Sequence, residues 1–220
     1  MLFEELIVHD DRAPVSGAMN MAIDEALLEQ ATLPALRFYV WRQPSLSFGY
    51  FNKFSEVAAE TDERELVRRW TGGGTVPHGD DLTYSLVTPA TQPAAALGPS
   101  AIYAALHAAI RDALREEGKT AQLAPDAAPK ISEACFANPV RNDLLLDGRK
   151  VAGAAQRRTR GGFLHQGSIQ LPGLSESFRN RFAGALGRVL VETALSPQVL
   201  ARATALAAEK YGTEEWLRRW

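Results

Sequence analysis

A chain of 220 residues with 46% apolar and 23% charged positions can bury a core of its own without disulfide or metal staples. Its 17 glycines and 12 prolines exclude a collagen-like or low-complexity chain, and a net charge of −2 gives no whole-chain reason to bind nucleic acid or an anionic membrane. The single cysteine, Cys135, excludes an internal disulfide framework and a cysteine-rich zinc site, and it suits a reducing, cytoplasmic setting.

The first residues, MLFEELIVHDDRAP, carry acids within five positions and no apolar run of secretory length. The longest apolar candidate, Pro93 to Ile110, is interrupted by Gly98, Pro99, Ser100 and His107, which argues against a membrane span. No repeat and no linker composition appears, so residues 1–220 read as one domain.

Ser16 followed by Gly-Ala-Met-Asn-Met-Ala-Ile-Asp-Glu-Ala-Leu-Leu predicts a capped helix with Met19, Ile23, Ala26 and Leu27 on one apolar stripe. Leu36 to Trp41 and the alternating Leu46, Phe48 and Tyr50 predict two strands around Pro44. A short polar helix is expected over Ser55 to Ala59. Val67 to Trp70 and Leu82 to Val87 read as strands flanking a loop, Thr71 to Asp81, with three successive glycines. Ser100 to Glu117 keeps helical spacing until Gly118 stops it.

Asp143-Leu-Leu-Leu, Asp147-Gly148 and Arg149-Lys-Val-Ala-Gly-Ala-Ala-Gln form a hairpin signal, since an Asp-Gly pair suits a two-residue turn with both residues at positive φ. A second hairpin is predicted around Gly161-Gly162, ending in Phe163-Leu-His-Gln-Gly-Ser-Ile-Gln-Leu, and Ser175 to Trp220 reads as helices. Strands first and helices last predict an α+β fold with a mixed or antiparallel sheet packed with helices.

On the second strand of the Asp-Gly hairpin, alternation places Lys150, Ala152, Ala154 and Gln156 on one face and Val151, Gly153 and Ala155 on the other. A lysine among alanines leaves room for a ligand, although the same pattern describes a solvated hairpin face. In Arg68-Arg69-Trp70-Thr71-Gly72-Gly73-Gly74, glycines let the backbone approach a partner, and exposed amides near arginines suit a carboxylate, a phosphate or a thioester oxygen. The loop lacks the Gly-Lys-Ser/Thr of a P-loop and is not a dinucleotide fingerprint.

Cys135 lies in Glu133-Ala-Cys-Phe-Ala-Asn-Pro, a loop before the hairpin. A free cysteine is usually a small buried hydrophobe; reactivity needs a nearby cation, for which Lys150 is the candidate. Histidines at 9, 78, 107 and 165 show no metal-ligand spacing, and His165 in a strand reads as a base or as a structural residue. Arg157, Arg158 and Arg160 are either a solvated turn or a docking point for an acidic protein.

Six segments in order resemble the catalytic domain shared by lipoate-protein ligases, octanoyltransferases and biotin-protein ligases. They are Met19-Asn-Met-Ala-Ile-Asp-Glu-Ala-Leu, Trp41-Arg-Gln-Pro-Ser-Leu-Ser-Phe-Gly-Tyr-Phe-Asn-Lys, Arg68-Arg-Trp-Thr-Gly-Gly-Gly-Thr-Val-Pro-His, Asp81-Leu-Thr-Tyr-Ser, Gly148-Arg-Lys-Val-Ala-Gly-Ala-Ala-Gln and His165-Gln-Gly-Ser-Ile. The tail Ala208-Glu-Lys-Tyr-Gly-Thr-Glu-Glu-Trp resembles the family's last helix. Biotin ligases fit less well, because a Gly-Arg-Gly-Arg-type loop is absent.

The resemblance implies a tunnel for an eight-carbon acyl chain with Lys150 at its reactive end. Arg69, Gly72, Gly73, Gly74 and His78 would bind ligand there, with Gly153, Gln156, His165 and Gly167 as neighbours. Trp41, Phe48 and Val76 are candidate walls. Cysteine-dependent octanoyltransferases are matched by Ala134-Cys-Phe, by the lysine fifteen positions after the cysteine and by Ala154-Ala-Gln-Arg. They need no cofactor and move an octanoyl or lipoyl group from acyl carrier protein to a lysine of a lipoyl domain or a glycine-cleavage H protein, which implies a thioester on Cys135. ATP-dependent lipoate ligases, which use ATP and Mg, are matched by Thr71-Gly-Gly-Gly and Arg141-Asn-Asp-Leu. A third alternative is a non-catalytic acyl- or carrier-binding relative.

Overall fold

The computed structural model describes residues 1–60, 63–126 and 139–220. Its eleven described strands form two sheets. In the larger sheet, β1 (Phe3–Val15) pairs in parallel with β11 (Gly187–Glu192) and with β2 (Ala35–Trp41). The sheet then continues antiparallel through β6 (Leu82–Pro89), β10 (Gly162–Ile169), β9 (Arg149–Thr159), β8 (Leu144–Leu146) and β7 (Gln122–Leu123). The smaller sheet places β3 (Ser45–Phe48) between β4 (Glu65–Arg68), parallel, and β5 (Val76–His78), antiparallel. The two strands predicted around Pro44 therefore belong to different sheets.

Alternation along each central strand feeds two cores. One face of the large sheet, with Leu36, Phe38, Tyr84, Leu86 and Phe163, packs on Ile102, Leu106 and Ile110 of α2 (Pro99–Glu116) and on Phe178 and Phe182 of α3 (Glu176–Leu186). The opposite face, with Ala35, Tyr39, Val87 and Leu164, packs on α1 (Gly17–Gln30) and α4 (Pro197–Leu206). A π-helical turn, Ala207–Tyr211, and the short α5 (Glu214–Leu217) complete the chain. No helix among the described residues is long and apolar enough to cross a membrane.

Local chemistry explains several element ends. Ser16 accepts from the Met19 amide and starts α1 as predicted, and Gly118 at φ +75° ends α2. Asp147 and Gly148 sit at φ +50° and +76°, the combination a two-residue hairpin turn requires. Four expectations fail. Helix α1 is buried over most of its circumference, including Asn20, Asp24 and Glu25, rather than along one stripe. The segment expected to be wholly helical contains β11, and the glycine loop contains β5. The polar helix expected over Ser55 to Ala59 is two short 3₁₀ turns.

A fifth difference bears on the site. Leu144 opposes Ala152 while the adjacent Leu145 opposes Lys150, so Val151 is the extra residue of a β-bulge. The bulge breaks the alternation that would put Lys150 and Ala152 on one face.

Candidate acyl-binding site

Between the two sheets lies a cavity of about 410 Å³, part of it open to solvent. Strands β2 and β3 give it Tyr39, Trp41 and Ser47, the loop after β4 gives Arg69 and Gly73, and β5 gives Val76 and His78. Its floor is the large sheet at Thr83, Gly153, Ala154, Ala155, Gln166, Gly167 and Ser168, and Met21 of α1 closes one side. Phe48, expected as a wall, is fully buried in a core cluster beside the small sheet.

The glycine loop is held tightly. Arg69 does not reach outward: one guanidinium nitrogen donates to the Gly72 and Gly74 carbonyls at 3.0 and 2.7 Å, and the other donates to Ser47 Oγ at 2.7 Å. Arg68, also buried, is bound by the carbonyls of Tyr50, Asn52, Trp216 and Leu217, which ties the end of the chain beneath the loop. Gly49 permits the closest approach, since a Cβ there would stand 2.0 Å from the Gly73 carbonyl oxygen. Gly73 has φ +87°, whereas a Cβ on Gly72 would meet nothing within 4 Å.

A second tether runs through α1. Arg37, fully buried, pairs with Asp11 at 2.7 Å and Asp24 at 3.0 Å; Gln166 donates to Asp24 at 2.8 Å and accepts from Thr71 at 2.7 Å. Asp24 of α1 thus carries the loop's position through Gln166, while Glu25 binds Lys210 and Tyr211; a helix that buries such polar partners has no single apolar stripe.

His78 sits at the centre of another set of bonds. Its ring stacks on Trp41 at 4.0 Å, its Nε2 lies 2.7 Å from Ser47 Oγ and its Nδ1 lies 2.9 Å from Asp81. Burial lowers its pKa against the opposing pull of Asp81. Burial raises the Asp81 carboxyl, but His78 and hydrogen bonds from Ser168 and Thr83 outweigh it and hold it below the ordinary carboxylate value.

Lys150 does not line the cavity. Its Nζ lies 2.8 Å from Asp143, and both side chains are buried. Asp143 also accepts from the Tyr103 hydroxyl and, at 2.6 Å, from the Val140 amide. Tyr103 and His107 come from α2, and the His107 ring stands 4.2 Å from that of Tyr103. Burial pushes His107 down to about 4 and His165 to about 3. His165 and Gln156 face each other across β10 and β9, and the His165 ring is enclosed between Tyr84 and Tyr103.

Of the residues named from sequence, Arg69, Gly73, His78, Gly153 and Gly167 line the cavity, and Gly72 and Gly74 are in its loop. Lys150, Gln156 and His165 stand apart from it, and Cys135 lies outside the described residues. Ser47, Asp81, Thr83, Asp143, Gln166 and Ser168 lie within motifs read from sequence, but none of them was given a site role there. The arginine cluster divides: Arg157 lies over the Trp70 and Tyr50 rings, Arg158 donates to the Ala95 and Leu97 carbonyls, and Arg160 is exposed.

Residues 16–190 match the model of the lipoyl protein ligase A/B catalytic domain. The chain belongs to that family. It is 30% identical to an octanoyltransferase LipM of Brevibacillus brevis, covering 93% of this chain and 96% of that one. It is 38% identical to an octanoyltransferase LipM of Anoxybacillus flavithermus over 73% of this chain, spanning only 64% of that relative's length. A putative lipoate protein ligase from T. acidophilum, solved with bound lipoic acid, has the same fold, with a TM-score of 0.80 at 22% identity over 98% of this chain and 99% of that one.

Proposed function

We propose that this family member transfers an octanoyl group from acyl carrier protein to a lysine of a lipoyl domain or glycine-cleavage H protein, through a thioester on Cys135. The observation that carries the reading is a mostly apolar cavity roofed by the Arg69–Gly74 loop, in a chain similar to octanoyltransferases. Burying an acyl chain there contributes about 0.8 kcal/mol per CH₂, enough to select for length.

In the first step the Cys135 thiolate attacks the thioester carbonyl, the bond to the carrier's sulfur breaks and the carrier thiol takes up a proton. The exchange of one thioester for another is close to isoenergetic. In the second step the acceptor amine, having lost a proton, attacks the S-octanoyl carbonyl, and an amide forms as the nitrogen gives a second proton to solvent and the Cys135 thiolate leaves. Forming the amide drives the sequence. Lys150, fixed by Asp143, supplies an ammonium for the sulfur, and the loop amides supply donors for the tetrahedral oxyanion.

No ATP or metal enters this route. The test is an assay with octanoyl-acyl carrier protein and an unmodified lipoyl domain, free of ATP. Octanoylated domain is the expected product. Modification only from free octanoate or lipoate with ATP, accompanied by pyrophosphate release, would replace this reading with adenylate-forming ligation.

A further inference from the structure

Three hydrogen-bonded chains, two starting from cavity-lining residues and one from Gln170 outside the cavity, end on one carboxylate that does not itself line it. Trp41 Nε1 donates to Thr83 Oγ1 at 2.8 Å, and Thr83 Oγ1 donates to Asp81 Oδ2 at 2.9 Å. Gln170 donates to Ser168 Oγ at 2.7 Å, and Ser168 donates to the same oxygen at 2.6 Å. Arg69 donates to Ser47 at 2.7 Å, Ser47 contacts His78 Nε2 at 2.7 Å, and His78 Nδ1 contacts Asp81 Oδ2 at 2.9 Å.

The direction of every bond follows from the ends. Arginine and the indole N–H can only donate, and an ionised carboxylate can only accept. Each hydroxyl between them therefore accepts once and donates once, and His78 carries its proton on Nδ1. The other Asp81 oxygen accepts the Gly79 amide at 3.2 Å. Residues from β2, β3, β5, β6, β10 and the glycine loop are locked by this one acceptor, in a buried setting where leaving such groups unpaired is costly.

We propose that Asp81 is a positioning residue that sets the acyl-chain length the cavity accepts, by fixing Trp41 and His78 at one wall and Arg69 at another. The inference rests on the acyl-binding reading above. It deepens that reading by assigning length selectivity to a residue that never touches the chain.

Calorimetric binding of free octanoate and decanoate, which requires no turnover, tests it on two variants. Asp81→Asn exchanges an acceptor of four donors for a group that also donates, and Thr83→Val cuts the Trp41 chain, with a long 3.5 Å contact to His78 Nδ1, while keeping the side-chain shape. The preference for octanoate over decanoate should fall by about tenfold or more in Asp81→Asn, and by a smaller factor in Thr83→Val. ATP-free transfer from the two matching acyl carrier proteins should follow the same order. Folded variants with the wild-type preference would overturn the proposal, and if Asp81→Asn does not fold, Thr83→Val alone decides. Failure of the wild-type chain to bind octanoate would instead overturn the acyl-binding reading, and this proposal with it.

Discussion

Lys150 and Asp143 form a buried ion pair at 2.8 Å, and the carboxylate is further bound by the Tyr103 hydroxyl and the Val140 amide. The lysine is therefore presented from a fixed anchor, held from α2 and from the segment before β8, and the Val151 bulge sets where along β9 it stands. Cutting the anchor takes the carboxylate away from a buried ammonium, a loss of about 3–5 kcal/mol for pairs of this kind. Asp143→Asn should lower urea stability by that order and slow octanoyl transfer by at least about tenfold. Tyr103→Phe should have the same sign and a smaller size. Unchanged transfer in a folded Asp143→Asn would remove Lys150 from the chemistry.

The glycines make a graded series. Gly49→Ala would push a methyl to 2.0 Å from the Gly73 carbonyl, so the loop or β3 must move; the expected cost is about 2–3 kcal/mol, with a raised KM for acyl donor. Gly73→Ala adds strain at φ +87° of about 1 kcal/mol. Gly72→Ala meets nothing and should leave stability unchanged. Thermal unfolding of the three variants checks the order, which would be contradicted if Gly72→Ala proved the most damaging.

Gly167 has a second task besides lining the cavity. A Cβ there would lie 2.3 Å from the Tyr84 ring, so the absent side chain makes room for Tyr84 on the α2 side of the sheet. Gly167→Ala should destabilise by about 2 kcal/mol or more in chemical denaturation. Pairing it with Tyr84→Phe should restore little, because the ring atoms Cζ and Cε1 stay 2.3 and 2.5 Å from the new Cβ. Tyr84→Ala in the Gly167→Ala background should relieve the clash, and full additivity of the two substitutions would contradict this account.

All four histidines have pKa values lowered by burial, His107 to about 4 and His165 to about 3. A histidine kept neutral in the folded chain titrates near 6.5 once unfolded, so the unfolded state binds more protons between those values. Stability is complete above pH 6.5 and falls as pH drops toward 4, by up to about 1.4 kcal/mol per pH unit for each histidine. Urea midpoints at pH 7.5 and 5.0 measure this, with the lower midpoint expected at pH 5.0. Equal midpoints would mean that the rings are solvated.

What could be read from sequence was what short-range chemistry decides. Ser16, Gly118 and the Asp147-Gly148 turn each satisfy a local backbone requirement, and each is where it was expected. Parallel pairing is non-local, and β1 and β11 join residues more than 180 positions apart at Phe3 and Gly187, with charged residues along β1 obscuring its pattern. The run Val189-Leu-Val was the available sign of β11. The Asp81 cluster escaped for the same reason as the parallel strands, since its members come from six separate segments. Its sign was the polar character of Ser47, Thr83 and Ser168 at positions that strands bury.

In the proposed route Cys135 carries the acyl group. Intact-mass measurement after incubation with octanoyl-acyl carrier protein, without ATP, reads it directly. One octanoyl group, removed by neutral hydroxylamine and absent from Cys135→Ala, is the predicted result. Octanoyl transfer to a lipoyl domain that survives unchanged in Cys135→Ala would contradict it.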